Sequence, residues 1–328
     1  MIRFGVIGTS WITKEFLRSA DIIEDFKLNA VYSRTEERAR EFANEYNVEN
    51  TFTDLDKMAK SDLIDAVYIA SPNSYHGKYS ILFLKNKKHV FCEKPIASNE
   101  YELKQMIAEA KGNNVLLMEG MMSSFLPNFR VIKDNLHKIG KVRRYIGNFC
   151  KYSSRYDRYK RGENPNTFNP KFSNGSLMDI GIYCIYPLIQ LFGIPNSVKA
   201  DGVLLESGVD GEGSVLLNYD DMDGIIIHSK ITNSAILSEI QGEEGSIIID
   251  NISLLNNIKV VYNDGKEEDV TVEQSKPNMY YEAKEFIELI KAGKTESRIN
   301  SLEMSRNVMR ILEESRKQMG VIYPADKE

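Results

Sequence analysis

Over the first 120 positions the apolar residues fall in short runs, interrupted by single polar residues such as Arg3, Asn29 and Asp65, rather than in strict alternation. Residues 2–8, 28–33, 63–70, 89–92 and 115–120 each read as a strand buried on both faces, with amphipathic segments such as the one carrying Phe16, Leu17, Ala20 and Ile23 between them. Strands alternating with helices in this way predict a doubly wound parallel sheet. After Gly120 the rhythm changes. Residues 128–137 predict one more helix, 142–152 a strand, and 153–176 a long polar loop with aromatic anchors at Tyr156, Tyr159, Phe168 and Phe172, a candidate lid. Residues 177–186 read as a helix. From Val198 onward strand follows strand, at 202–205, 213–219, 224–231, 237–241, 245–250 and 258–262, with Asp223-Gly224, Glu244-Gly245 and Asp264-Gly265 as turns. Such a succession predicts a largely antiparallel sheet. Two amphipathic helices, at 280–291 and 302–319, precede the closing segment 322–326.

Length and charge narrow the classes. At 328 residues the chain exceeds the size at which one core stops growing, so two domains are expected. A formal charge of -5 with both signs interspersed provides no basic face for nucleic acid. Cys92, Cys150 and Cys184 are odd in number and widely spaced, which argues against a disulfide framework and against a structural metal site. A reducing, cytoplasmic location is the expectation, with no metal bound. The N-terminus lacks the basic and apolar regions of a signal peptide, and the most apolar stretch, 181–194, is too short for a bilayer and holds Pro187 and Gln190, so no membrane partner is expected.

The chemistry gathers at the predicted strand ends. The run 89–92 leads into Glu93-Lys94-Pro95, which puts an ammonium at a strand's carboxyl end, where open α/β sheets bind ligands. Pro95 biases Lys94 toward an extended conformation. Taken alone, Glu93 and Lys94 also fit a solvated charge pair. The first strand runs into Gly8, Thr9, Ser10, Trp11 and Ile12, a glycine turn opening a helix whose amides can face a pyrophosphate. Aligned on Gly8, the G-x-G-x-x-G pattern has Ser10 at its second glycine and Thr13 at its third position, so the motif is incomplete.

The second strand ends in Ser33-Arg34 without the carboxylate that would hold an unphosphorylated ribose, and Arg38 follows one helical turn later. Two arginines there favour a 2′-phosphate, hence NADP with NAD possible; the other reading is a charged first turn partnered by Glu36 and Glu37. Ser71, Pro72, Asn73 and His76 form a third strand-end loop suited to the middle of a dinucleotide. Asp179 and Tyr183 are four apart on a predicted helix and share a face, which fits either a site or simple packing.

With these landmarks, the chain resembles the Gfo/Idh/MocA family of NAD(P)-dependent oxidoreductases from end to end. The matching stretches are Gly-Val-Ile-Gly-Thr-Ser at 5–10, Tyr-Ile-Ala-Ser-Pro-Asn-Ser-Tyr-His at 68–76, Cys-Glu-Lys-Pro at 92–95, Asp-Ile-Gly-Ile-Tyr at 179–183 and Gly-Val-Ile-Tyr-Pro-Ala-Asp at 320–326. Tyrosine at 183 is similar to the branch with dihydrodiol dehydrogenase, xylose dehydrogenase and glucose-fructose oxidoreductase. The sequence departs at Ser124 and Leu126, where related sequences often carry arginine and histidine.

The fold class implied is α/β plus α+β: an N-terminal Rossmann-type doubly wound parallel sheet at 1–121, and a C-terminal, largely antiparallel open-sheet domain at 122–328 for substrate binding and oligomerisation. The resemblance implies a catalytic set of Lys94, Tyr183 and Asp179 and a cis Lys94–Pro95 bond. It also implies hydride transfer between the nicotinamide, beside Glu93 and Lys94, and a sugar, polyol or dihydrodiol-type alcohol. Whether Lys94 or Tyr183 moves the proton stays open. Apolar residues on both faces of the later strands, as in Val215, Leu216 and Leu217 or Ile225, Ile226 and Ile227, together with relatives that pair through this sheet, predict a homodimer or homotetramer. Two other functions share the fold: a non-catalytic nucleotide or sugar sensor, and a glycosidase assisted by a tightly held nicotinamide.

Overall fold

The computed structural model describes residues 1–327, so Glu328, the last residue of the expected second domain, lies outside it. In chain order the elements begin with β1 (Ile2–Ile7), α1 (Trp11–Ala20), β2 (Phe26–Tyr32), α2 (Glu36–Glu45), β3 (Asn50–Phe52) and α3 (Leu55–Lys60). Then come β4 (Ala66–Ile69), α4 (His76–Lys85), β5 (His89–Glu93), α5 (Glu100–Asn113), β6 (Leu117–Gly120), α6 (Pro127–Asn135), β7 (Val142–Cys150) and α7 (Ser154–Lys160). A π-helical turn, Leu177–Gly181, leads into α8 (Ile182–Phe192). The remainder is β8 (Ser197–Leu204), β9 (Asp210–Asn218), β10 (Asp223–Ser229), β11 (Ser238–Gly242), β12 (Gly245–Ile249), β13 (Ile258–Tyr262), β14 (Glu267–Asp269), α9 (Tyr280–Lys291) and α10 (Leu302–Gln318).

The first compact unit comprises Met1–Met122 and Lys276–Arg306. Its six strands are all parallel, in the order β3-β2-β1-β4-β5-β6. The three-residue β3 is a strand the apolar runs do not reveal, because Asn50 and Thr51 interrupt its pattern and it pairs at the sheet edge only. Segment 276–306 joins this unit although a linear division assigns it to the second. The reason is the buried stripe of α9, Ala283, Phe286 and Ile287: the Phe286 ring stacks on Phe91 at 5.0 Å and lies 5.8 Å from Phe4. Phe16 stacks on Tyr68 at 3.8 Å in the same aromatic core.

The second unit comprises Ser123–Ser275 and the residues from Asn307 on. Its eight strands run β14-β13-β12-β11-β7-β10-β9-β8, antiparallel throughout except for the parallel pair β7 and β10. Asp223-Gly224 opens β10 rather than forming a turn; the reversal falls just before it, where the Tyr219 amide bonds to the Met222 carbonyl at 3.0 Å. Helix α8 covers one sheet face. It approaches closely because Gly147 and Gly224 carry no side chain there: a Cβ on Gly147 would sit 2.8 Å from Cβ of Cys184, and one on Gly224 2.6 Å from Leu188. The expected lid at 153–176 is not a plain loop but holds α7 and two 3-10 turns, anchored by Phe168 packing against Tyr156 and Tyr159 at 5.6 and 5.4 Å.

By length and composition alone Pro170–Phe192 is apolar enough to cross a bilayer, a longer stretch than the one at 181–194; 67% of its apolar 18-residue window is buried inside the protein, as in a core segment. The three cysteines are unpaired, Cys92 and Cys184 buried.

Candidate active site

The first unit carries the cofactor candidates. Gly8 turns the chain at φ +105°, and a Cβ there would stand 2.5 Å from the Ala70 carbonyl oxygen, so no other residue fits between β1 and the loop after β4. Ser10 precedes α1 without a side-chain capping bond, which leaves the helix's first amides to other acceptors. Thr35, Asp54 and Asn99, by contrast, cap α2, α3 and α5. Trp11 is exposed and Ile12 half-buried.

Arg38 reaches back from α2 to this turn. Its guanidinium donates to Oγ1 and to the carbonyl of Thr9, each at 3.2 Å, and pairs with Glu41 at 2.5 Å rather than with Glu36 or Glu37. Glu36 pairs with Arg40 instead. Arg34, exposed just past β2 and the half-buried Ser33, makes no ion pair among the described residues, and its charge acts on the phenols of Tyr32 and Tyr79.

Three loops are braced around Lys94. The Lys94–Pro95 bond is cis. His76 is buried, its Nδ1 2.8 Å from the Pro95 carbonyl oxygen and its Nε2 2.9 Å from that of Ser71, so the imidazole ties the Ser71-Pro72-Asn73 loop to the proline turn. Burial lowers the ring's pKa, and a neutral imidazole, with a single N–H, donates to one of these two carbonyls at a time. The Ile96 amide donates to Glu119 at 3.0 Å, fixing the far side of the turn.

Glu93 is not a solvated partner of Lys94. It is buried, accepts from the Tyr68 hydroxyl at 2.6 Å and from the Lys94 amide at 3.3 Å. Glu282 on α9 adds a second, fully buried carboxyl whose oxygens have no hydrogen-bond partner among the described residues; burial, and then the charge of Glu93, hold it well above the usual carboxylate range. Of residues 90–99, Lys94 alone is not buried. These contacts fix a strand end at which Lys94 is half-buried.

The second unit holds Asp179 and Tyr183. Asp179 lies in the π-helical turn, a feature that recurs at functional sites, and Tyr183 in the first turn of α8 with its ring edge-on to Phe149 at 5.7 Å. Asp179 forms an ion pair with Lys230 just past β10. Beneath the turn Asp210 accepts from the Leu177 amide at 2.6 Å, and His228 Nδ1 stands 3.0 Å from the Ser176 hydroxyl and 3.8 Å from Asp210. Burial pushes the Asp210 carboxyl up to about 7 and the His228 ring down to about 3. Lys230, Asp210 and His228 escape a reading for motifs. The signal that could find them is the strand's period of two, which puts Gly224, Ile226, His228 and Lys230 on one buried face.

The residues of the first unit fit a dinucleotide: a glycine turn that excludes a Cβ, uncapped helix amides, and an exposed guanidinium without an ion pair at the end of β2. The comparisons agree. A family model described as "Oxidoreductase family, NAD-binding Rossmann fold" matches residues 2–121, and one for the Gfo/Idh/MocA C-terminal domain matches 136–248. The chain is 54% identical over 327 residues to the scyllo-inositol 2-dehydrogenase (NADP(+)) of Bacillus subtilis, covering 100% of both chains. It is 29% identical over 337 residues to the trans-1,2-dihydrobenzene-1,2-diol dehydrogenase of Mus musculus, covering 99% of each. The structure of a 3-ketoreductase from Actinomadura kijaniata with NADP and TDP-benzene has a TM-score of 0.84 at 21% identity, over 98% of this chain and 99% of that one, a likeness of fold. The chain therefore belongs to the Gfo/Idh/MocA family of oxidoreductases.

Proposed function

We propose that this protein is an NADP-dependent dehydrogenase of a cyclic polyol, with scyllo-inositol the first substrate to test. The observation that carries this reading is the 54% identity, end to end, with a relative named for that reaction. The arginine pair supports the choice of cofactor: Arg34 is an exposed guanidinium with no ion pair among the described residues, and Arg38 is held at the Gly8 turn. When bound, the nicotinamide accepts or returns the hydride.

The chain's own residues handle the proton and the substrate. An alcohol that loses hydride must also lose its hydroxyl proton, and a positioned acid–base group takes it. Tyr183 is our choice for that group. We assign the ammonium of Lys94 to the reacting oxygen, where it stabilises the alkoxide character that develops in the transition state. Asp179 accepts a hydrogen bond from a second hydroxyl, which selects polyols over simple alcohols. Gly8, Thr9, Ser10, Trp11 and Ile12 hold the pyrophosphate end of the dinucleotide, Ser33, Arg34 and Arg38 the 2′-phosphate, and Ser71, Pro72 and Asn73 its middle. His76 and Glu93 support from behind.

The same reading includes self-association through the uncovered face of the second sheet. In register across it run Lys199, Leu216, Ile225, Ile146, Glu239, Ile248 and Lys259, a mostly apolar row interrupted by Glu239 and ended by a lysine on each side. Three unpaired cysteines fit a reducing compartment.

The test is a spectrophotometric screen of inositols, aldoses and dihydrodiols with NADP and with NAD. NADPH formation dependent on an inositol is expected. No NADPH formation with any of these alcohols, and no NADPH oxidation with the matching ketones, would overturn the proposal.

A further inference from the structure

Lys230 is a lysine in an unusual place. It is 8% exposed, one residue past β10 and on that strand's buried face, where a lysine persists only if its charge is matched. Its backbone is fixed on both sides: the amide donates to the Gly211 carbonyl and the carbonyl accepts from the Ser153 amide, each at 2.9 Å. The ammonium is thus delivered from the sheet with little freedom, and it meets Asp179 in an ion pair.

The pair is asymmetric. The Lys230 side chain is 10% exposed and that of Asp179 31%. The cation lies behind and the carboxylate faces outward, the arrangement that suits an anion offered to a ligand. A pair serving stability alone has no need of that order.

The surroundings leave the ammonium to Asp179. Asp210 on β9, His228 on β10 and the buried Tyr323, whose phenol feels the Asp210 charge, are titratable groups close to the π-helical turn. Asp210 feels the charge of Lys230, but its burial favours the neutral carboxyl up to about pH 7, and buried His228 stays neutral down to about pH 3. Both engage the turn: Asp210 accepts from the Leu177 amide and His228 meets the Ser176 hydroxyl. They hold the backbone of the turn while Lys230 holds its carboxylate.

We propose that Lys230 is a positioning residue, which orients Asp179 and keeps it ionised as the acceptor for a substrate hydroxyl. The inference rests on the assignment of Asp179 to the substrate. Removing the cation leaves the carboxylate free to rotate and easier to protonate.

The experiment compares Lys230→Met, Lys230→Gln, Lys230→Arg, Asp179→Asn and the double variant Asp179→Asn/Lys230→Met, with scyllo-inositol and NADP. Lys230→Met is expected to lower kcat/KM by about tenfold or more and to move the acid limb of its pH profile upward by about one unit or more. NADPH affinity, read by fluorescence, stays within about twofold. Lys230→Arg recovers to within about threefold of wild type, and in the Asp179→Asn background the loss of Lys230 lowers kcat/KM by less than about threefold. Lys230→Gln, which keeps a donor without the charge, is read as Lys230→Met is.

Wild-type kinetics in Lys230→Met alongside a defective Asp179→Asn overturn the role of Lys230 and leave that of Asp179 standing. Wild-type kinetics in Asp179→Asn overturn both. Loss of a cooperative melt in Lys230→Met and Lys230→Gln, with Lys230→Arg active, assigns Lys230 to folding and likewise overturns the proposal.

Discussion

Arg316 and Asp326 form a two-pronged ion pair inside the second unit: Nη1 lies 2.7 Å and Nη2 2.5 Å from the two carboxylate oxygens. The guanidinium is fully buried, donates also to the Val321 carbonyl at 3.2 Å, and stacks 4.4 Å over the ring of Tyr323. The Tyr323 hydroxyl in turn donates to the Asn174 carbonyl at 3.0 Å, just ahead of the turn that carries Asp179. The closing segment is thereby a clamp on the loop that leads to the candidate site. Truncating one partner strands a buried charge, so Arg316→Ala is expected to destabilise by about 3–5 kcal/mol, read as a lowered urea midpoint. A midpoint unchanged from wild type would show that the clamp is dispensable.

We propose that Arg34 carries the choice of cofactor. A guanidinium bound to a phosphate contributes charge-assisted bonds of roughly 1.5–3 kcal/mol, which a ribose hydroxyl cannot match. Arg34→Ala should lower the preference for NADP over NAD by about ten- to a hundredfold, measured as the ratio of the two kcat/KM values. An unchanged ratio refutes the assignment.

Proton transfer separates two variants. Tyr183→Phe keeps the ring that packs on Phe149 and removes the proton, so kcat is expected to fall by roughly 10²–10⁴-fold with NADPH affinity retained. Lys94→Ala should lose at least as much. Full activity in Tyr183→Phe would transfer the role to Lys94.

Asp210 and His228 set a pH signature for stability. The folded pKa of Asp210, about 7, is above its ordinary 3.8, so its contribution is complete below pH 3.8 and is lost as pH rises to 7, by on the order of 4 kcal/mol at most. His228 runs the other way: its folded pKa, about 3, is below 6.5, so its contribution is complete above 6.5 and is lost as pH falls toward 3. Asp210→Asn keeps an oxygen for the Leu177 amide and removes the charge. Its melting temperature should exceed wild type by more at pH 8 than at pH 4.5, and an equal difference at both would contradict the burial argument.

The uncovered sheet face makes the assembly testable. Leu216, 45% exposed, sits in register with Ile225 at the centre of that face. Light scattering at micromolar concentration should report a dimer or larger species, and Leu216→Glu with Ile225→Lys a monomer of unchanged far-UV spectrum. A monomeric wild type removes the proposal.

Much of this protein is legible in one dimension. The predominantly apolar runs at 2–8, 63–70 and 89–92, alternating with amphipathic segments, point to strands buried on both faces, and that pattern indicates the parallel unit before any contact is known. The glycine at 8 and the Glu93-Lys94-Pro95 step are likewise local: a positive φ and a pre-proline residue have their consequences wherever they occur. Short edge strands such as β3 and β14 were hidden, because they bury little and therefore leave little apolar pattern. What only the tertiary structure decided are the relations between distant positions. Phe286 returns 195 residues after Phe91 to complete the first core, and Lys230 meets Asp179 across 51 residues. Such pairings depend on which strands neighbour one another, and a charge buried by its partner leaves the same mark in the sequence as one on the surface.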